Sequence, residues 1–131
     1  MSARLAYINV FARDVDGLFG FYAGLFDLKE IEKLRSPIYR CLDANGAELG
    51  FHAPDAYDLL NLADRKPAGT APVSAYFTFE LPDKAAVDAA VTRAAAAGAK
   101  VVKAPYVTYY NSYQAVLSDP EGNVFRVNHR L

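Results

Sequence analysis

Glu48 and His52 stand four residues apart in the short run Ala47 to His52. On a β-strand that spacing puts both side chains on one face. A carboxylate and an imidazole so placed can share a cation or pass a proton. The second histidine, His129, lies near the chain end with the opposite strand parity to Arg126. Cys41 is the one cysteine of the chain, so it has no intrachain disulfide partner and no cysteine zinc cluster can form. Tyrosine is the abundant polar side chain: 9 Tyr and 8 Phe accompany no Trp. A tyrosine offers a broad apolar face and one hydroxyl, which suits a pocket wall or an interface. Four tyrosines fall between Pro105 and Tyr113 (Tyr106, Tyr109, Tyr110 and Tyr113). No nucleophile constellation, phosphate-cradling glycine loop or dinucleotide fingerprint accompanies them.

These residues need a scaffold, and 131 residues with 53% hydrophobic and 22% charged content supply one domain's worth of core. Fourteen basic against 15 acidic residues give a net charge of −1, which argues against a partner bound through phosphates, so no nucleic acid is expected. No apolar run approaches membrane-span length, so no membrane is expected either. The segment Met1 to Val10 carries Arg4 and Asn9 and lacks a signal-peptide core, which makes a cytoplasmic location the expectation.

Leu5 to Phe11 reads as a strand, and Asp14 or Asp16 can cap the helix that follows. Leu18, Phe21, Tyr22 and Leu25 form its apolar stripe. Three strand-like pieces come next, over about Leu28–Leu34, Ile38–Asp43 and Ala47–His52, with Ala44-Asn45-Gly46 as a hairpin signal. A Pro- and Gly-bearing connector spans 53–72, with a short helix expected over Asp55–Leu62. The order then repeats: a strand over Val73–Phe79, an alanine-rich helix over Lys84–Ala97 closed by Gly98, and strands over Lys100–Lys103, Tyr113–Leu117 and Val124–Asn128. Between the first two of these lies a Pro-Tyr loop; between the last two lies Asp119-Pro120-Glu121-Gly122-Asn123, a turn. Residues 1–52 and 73–131 are therefore two βαβββ modules, an α+β design in which each module's open sheet face calls for a second.

The paired pattern resembles the vicinal oxygen chelate superfamily of glyoxalases, bleomycin-resistance proteins and extradiol dioxygenases. Asp14-Val15-Asp16 followed by Phe21-Tyr22 and Leu25-Phe26 is similar to that family's first helix, although Phe26-Asp27 stands where its glycine usually lies. Ala96-Ala97-Gly98-Ala99 resembles the end of its second helix, and Asp119 to Asn123 its final hairpin. The resemblance implies a half-open, curved mixed sheet around a cavity. It also implies that metal-dependent relatives hold a divalent ion with four side chains, whose positions fall on Tyr7, Glu48, Tyr76 and Arg126. Of these, Glu48 alone is a good ligand. Tyrosine must lose a proton with a pKa near ~10, and arginine has no acceptor and repels a cation. No cofactor is expected, and a divalent metal, if bound, would use Glu48 and His52.

Strand alternation assigns the inward faces. They carry Tyr7, Asn9 and Phe11, then Glu48, Gly50 and His52, then Tyr76, Thr78 and Glu80, then Arg126 and Asn128. Gly50 leaves room beside Glu48. So many polar groups make a poor dry core, which favours a wet or ligand-filled concavity. Two readings stay open. One is a metal-free binder of a small aromatic or anionic molecule, as in the drug-sequestering relatives. The other is a metal-dependent lyase, isomerase or dioxygenase. The aromatic excess and the implied half-open cup lead us to expect a homodimer. Tyr109 and Tyr110 are expected to lie on a lid hinged at Pro105. Arg126 is expected within salt-bridge reach of Glu48, in the place of the ion.

Overall fold

The computed structural model describes residues 2–131, which divide into two compact units between Ala68 and Gly69. Each unit carries a four-stranded mixed sheet with a helix on one face, so the chain is α+β.

In the first unit, β1 (Tyr7–Phe11) runs parallel to β4 (Glu48–His52), and β3 (Tyr39–Asp43) pairs antiparallel with β4 and with β2 (Lys29–Glu30). Helix α1 (Val15–Phe26) starts at Asp14, whose carboxylate accepts the Gly17 N–H at 3.0 Å. It ends where Asp27 takes a left-handed conformation, φ 53°. Leu18, Phe19, Phe21, Tyr22 and Leu25 are buried, against Leu42, Leu49 and Phe51 of the sheet. The Tyr22 and Phe51 rings stack at 5.8 Å. Leu49 and Phe51 thus face the helix, while Glu48, Gly50 and His52 face the other way. The β3–β4 hairpin closes through Asn45 (φ 61°) and Gly46 (φ 139°), the positive angles that this tight turn requires.

The second unit repeats the plan. β5 (Phe77–Glu80) runs parallel to β8 (Val124–Arg130), and β7 (Ser112–Ser118) pairs antiparallel with β8 and β6 (Lys100–Val107). Helix α3 (Lys84–Ala96) is capped by Asp83, which accepts the Ala86 N–H at 2.7 Å, and is closed by Gly98 at φ 102°. Val87, Ala90 and Ala94 bury against this sheet, whose Ala115, Leu117, Phe125 and Val127 are buried too. The β7–β8 turn is tied by Asp119, which accepts the N–H groups of Glu121 (2.8 Å) and Asn123 (3.0 Å) and the Asn123 amide (2.9 Å).

Several expected boundaries are corrected. The first strand starts at Tyr7 rather than Leu5, because Leu5 is 68% exposed and has no sheet face to bury against. The expected strand over Leu28–Leu34 is only Lys29–Glu30. Once the Ile31 N–H has donated to Cys41 O, the chain turns into a 3-10 segment, Glu32–Leu34. Helix α2 is Ala56–Leu59, shorter than expected because Asn61 adopts φ 56°. Strand β5 begins at Phe77, so Val73 to Tyr76 precede it. The expected Pro-Tyr loop is largely strand: Pro105, Tyr106 and Val107 belong to β6, an edge strand with register shifts on either side of Lys103. An edge tolerates the missing proline N–H. Among the described residues no helix is long and apolar enough to cross a membrane.

Candidate functional site

The parallel registers set the inward residues side by side. Tyr7 lies opposite Glu48, Asn9 opposite Gly50, and Phe11 opposite His52. In the second unit Thr78 lies opposite Arg126, and Glu80 opposite Asn128.

On the first unit's open face the Tyr7 hydroxyl hydrogen-bonds the Glu48 carboxylate, and this bond, with the nearby negative charge, holds the phenol above its usual pKa. Tyr39 reaches across from β3 and donates to Asn9 Oδ1 at 2.8 Å. The two groups meet over Gly50. A Cβ there would stand 2.1 Å from both the Asn9 oxygen and the Tyr39 hydroxyl. The room left by Gly50 is therefore filled by its neighbours. His52 stacks with Phe11 at 5.7 Å and packs on Tyr39 at 4.6 Å, and Phe11 stacks on Tyr57 at 3.8 Å. Burial lowers the His52 pKa, which favours the neutral ring, and its Nδ1 is buried without a hydrogen-bond partner among the described residues. Burial also pushes the Tyr39 phenol and the Cys41 thiol up.

The second unit's open face centres on Arg126. Its Nε donates to Thr78 Oγ1 at 2.9 Å, and its Nη1 to the Tyr110 hydroxyl at 3.0 Å and to Gln114 Oε1 at 3.3 Å. The guanidinium carbon lies 5.0 Å from the centre of the Tyr76 ring. Tyr110 in turn donates to Gln114 Oε1 at 2.8 Å, and Gln114 Nε2 donates to Tyr106 at 2.9 Å. Within this unit, among the described residues, the hydrogen-bond partners of Arg126 are the neutral side chains of Thr78, Tyr110 and Gln114. Beside it Asn128 donates to Glu80 Oε1 at 2.7 Å, while Glu80 Oε2 accepts the Arg130 N–H at 2.8 Å. Burial pushes the Glu80 carboxyl up, but the bonds from Asn128 and the Arg130 backbone outweigh it and leave the pKa lowered. Thr78, Glu80, Tyr110, Ser112, Arg126 and Asn128 are among the residues lining an open pocket of about 560 Å³ within this unit.

The expected tyrosine lid is instead a β-hairpin. Its turn is pinned by Thr108, which donates its N–H to Ser112 O at 2.8 Å and accepts the Ser112 N–H on Oγ1 at 3.0 Å. The Tyr109 ring is 97% exposed, whereas the Tyr110 hydroxyl belongs to the arginine network. His129 points to the other face, with Nδ1 3.0 Å from Leu81 O.

Of the four positions where the resemblance puts metal ligands, Glu48 alone carries a good ligand. Within either unit, among the described residues, no three His, Cys, Asp or Glu side chains gather where a metal could sit. Glu48 has Tyr7 beside it, and the Tyr76 ring lies near a guanidinium, whose charge opposes a cation. Glu80 was expected on the inward face, whereas Tyr39, Tyr106 and Gln114 were not among the expected site residues. The signal for Tyr39 and Gln114 was available in the period-2 alternation of the two middle strands, where Tyr39 shares a face with Cys41, and Gln114 with Ser112.

No curated protein matches the chain. Among solved structures, one from Burkholderia phytofirmans PsJN, described as a glyoxalase/bleomycin resistance protein/dioxygenase family enzyme, is 47% identical; the match covers 98% of this chain and 100% of that one, with a TM-score of 0.93. A glyoxalase-related enzyme from Fulvimarina pelagi shares the fold at 17% identity, with 97% and 88% coverage and a TM-score of 0.80. A lactoylglutathione lyase from Agrobacterium tumefaciens shares it at 24% identity, with 98% and 94% coverage and a TM-score of 0.70. The model of the Glyoxalase/Bleomycin resistance protein/Dioxygenase superfamily matches residues 4–127. With that span covering nearly all of both βαβββ units, the chain belongs to this superfamily.

Proposed function

We propose that the protein binds a small organic anion without a metal, using the open face around Arg126. The observation that carries this reading is the arginine itself. It occupies a position where the resemblance puts a metal ligand, and it is fixed by Thr78, Tyr110 and Gln114 without being neutralised by any of them. A planar guanidinium held in this way is built to receive a carboxylate or a similar oxyanion. The aromatic walls, Tyr76 and Tyr110, suit the apolar remainder of such a molecule. On the first unit's face, Tyr7, Asn9, Glu48, Gly50 and His52 are read as ligand-facing as well; on the second, Thr78 and Asn128 join Arg126. Tyr109 is read as an outer contact. The protein is read as a cytoplasmic homodimer, supported by the exposed Val101, Val102 and Val107 on edge strand β6.

A second reading, that the protein is a metal-dependent enzyme, is favoured by the description of the Burkholderia relative as an enzyme. In that case Glu48 and His52 are the residues that would hold the ion. One experiment separates the two readings: elemental analysis of the purified protein, together with mass spectrometry of any organic molecule it carries. The binding reading expects no stoichiometric metal and an acid whose retention is lost in Arg126→Ala. Stoichiometric Zn, Ni, Mn or Fe that is lost in Glu48→Ala would overturn it.

A further inference from the structure

Gln114 stands in the middle strand β7, opposite Tyr106 of β6 and Asn128 of β8, and is 3% exposed. A buried position of this kind is most cheaply filled by an apolar side chain. Here it holds an amide, and both ends of that amide are bonded. Oε1 accepts from the Tyr110 hydroxyl at 2.8 Å and from Arg126 Nη1 at 3.3 Å, and Nε2 donates to the Tyr106 hydroxyl at 2.9 Å. Arginine can only donate, so the amide oxygen must be the end that faces Arg126. The same logic orients Tyr110. Its oxygen accepts from Arg126 Nη1 at 3.0 Å, and its proton therefore goes to Gln114.

An amide and a carboxylate have nearly the same shape. A carboxylate in this place would hold the guanidinium at least as firmly, because the charge-assisted bond is the stronger one, but it would also neutralise it. The first unit treats its arginines in that way: the Glu30 carboxylate gathers both Arg35 and Arg40. Around Arg126, within the second unit and among the described residues, the hydrogen bonds run instead to Thr78, Tyr110 and Gln114, from Nε and Nη1. Resting on the binding reading above, we propose that Gln114 is the positioning residue that makes the site selective for anions: its amide holds Arg126 in place without cancelling its charge. The buried amide is then the feature that separates an arginine presented to a ligand from an arginine consumed by an internal ion pair.

The test is calorimetric titration of the full-length protein with 4-hydroxybenzoate and with 4-hydroxybenzenesulfonate, whose sulfonate stays ionised at every pH used. Wild type is expected to bind both, and Arg126→Ala to weaken both. Gln114→Glu should weaken both by about tenfold or more at about pH 7, because its carboxylate neutralises Arg126 and repels the ligand. The same variant should regain sulfonate affinity relative to wild type as the pH falls to about 4 and below, where the new carboxyl takes up a proton and again resembles an amide. Tyr106, Tyr110 and Arg126, which touch this position, keep their charge over that range. Glu80 shares the pocket and titrates in both proteins, so it cancels in the comparison. Gln114→Met carries no charge and should weaken binding several-fold at every pH, which keeps the test if the Glu variant does not fold. Equal binding by wild type and both Gln114 variants would overturn the role of Gln114 and leave the anion-binding reading intact. A loss in Gln114→Glu that acid does not reverse would mark a merely structural residue and overturn that role as well. Binding of neither probe by wild type would overturn both readings.

Discussion

Gly50→Ala isolates the contact around which the first unit's open face is built. The added methyl carbon would stand 2.1 Å from Asn9 Oδ1 and from the Tyr39 hydroxyl, and 2.7 Å from Tyr39 Cζ. Ordinary contact between carbon atoms begins at roughly 3.5 Å. Both side chains must therefore move, and the Tyr39–Asn9 hydrogen bond of 2.8 Å is lost with them. Overpacking costs about 1–3 kcal/mol, and the hydrogen bond contributes about 1 kcal/mol. Replacing a strand glycine by alanine returns about 0.5–1 kcal/mol. The net expectation is a loss of about 1.5–3 kcal/mol, or a Tm lower by about 5–12 °C for a domain of this size. Urea unfolding followed by circular dichroism measures it. The same substitution in an Asn9→Ala/Tyr39→Ala background should cost less than about 0.5 kcal/mol, because the obstructing atoms are gone. A Gly50→Ala protein as stable as wild type, or an equal loss in both backgrounds, refutes the crossing of Asn9 and Tyr39 over Gly50.

Three further outcomes are expected. Tyr109→Ala should leave stability within about 0.5 kcal/mol of wild type, whereas Tyr110→Phe should cost about 1 kcal/mol and weaken acid binding several-fold, both read by thermal shift with and without 4-hydroxybenzoate; equal effects would put the two rings in one role. The Glu30 carboxyl is held at about 2, first by its hydrogen bond with Arg35 and next by Arg40 (3.0 Å). Its folded pKa lies below the unfolded one, so its contribution is present above the ordinary carboxylate range and fades as pH falls through about 2. With screening allowed for, that contribution is about 1 kcal/mol, and Glu30→Gln should show a correspondingly shallower loss of stability between about pH 4.5 and 2 in acid titrations. Light scattering should give about 29 kDa, twice the chain mass of 14.3 kDa; a monomer at micromolar concentration contradicts the dimer.

The helices were legible because their signals are local. Asp14 and Asp83 cap the first turns, Gly98 closes the second long helix, and the apolar stripes fall at helical spacing. The pairing of Glu48 with Tyr7 and of Arg126 with Thr78 follows from strand parity once the parallel register is known. Residues of the middle strands were harder to place, because a side chain such as Gln114 has no chemistry of its own until Tyr110 and Arg126 are brought to it. The hairpin between β6 and β7 was misread because Pro105 and the tyrosines carry loop composition, while an edge strand accepts both. The strand expected over about Leu28–Leu34 proved shorter, Lys29–Glu30, because after the Ile31 N–H has donated to Cys41 O the chain turns into Glu32–Leu34, a contact between residues ten apart that no period reveals.

The two units share one plan but meet the demands of a polar sheet face in different ways. In the first, the inward residues largely consume one another: Tyr7 with Glu48, Asn9 with Tyr39 over Gly50, and a stack that runs from Tyr39 through His52 and Phe11 to Tyr57. The face is closed by rings, and substitution there is read chiefly as lost stability. In the second, the same positions hold Thr78, Glu80, Arg126 and Asn128, and within this unit, among the described residues, the hydrogen bonds of Arg126 go to neutral side chains. A charge left so is expensive in a core and useful in a pocket. The duplicated architecture therefore does not imply a symmetric site. Substitutions of Arg126 should change what binds more than they change how well the protein folds, and substitutions of Gly50 or Tyr39 should do the reverse.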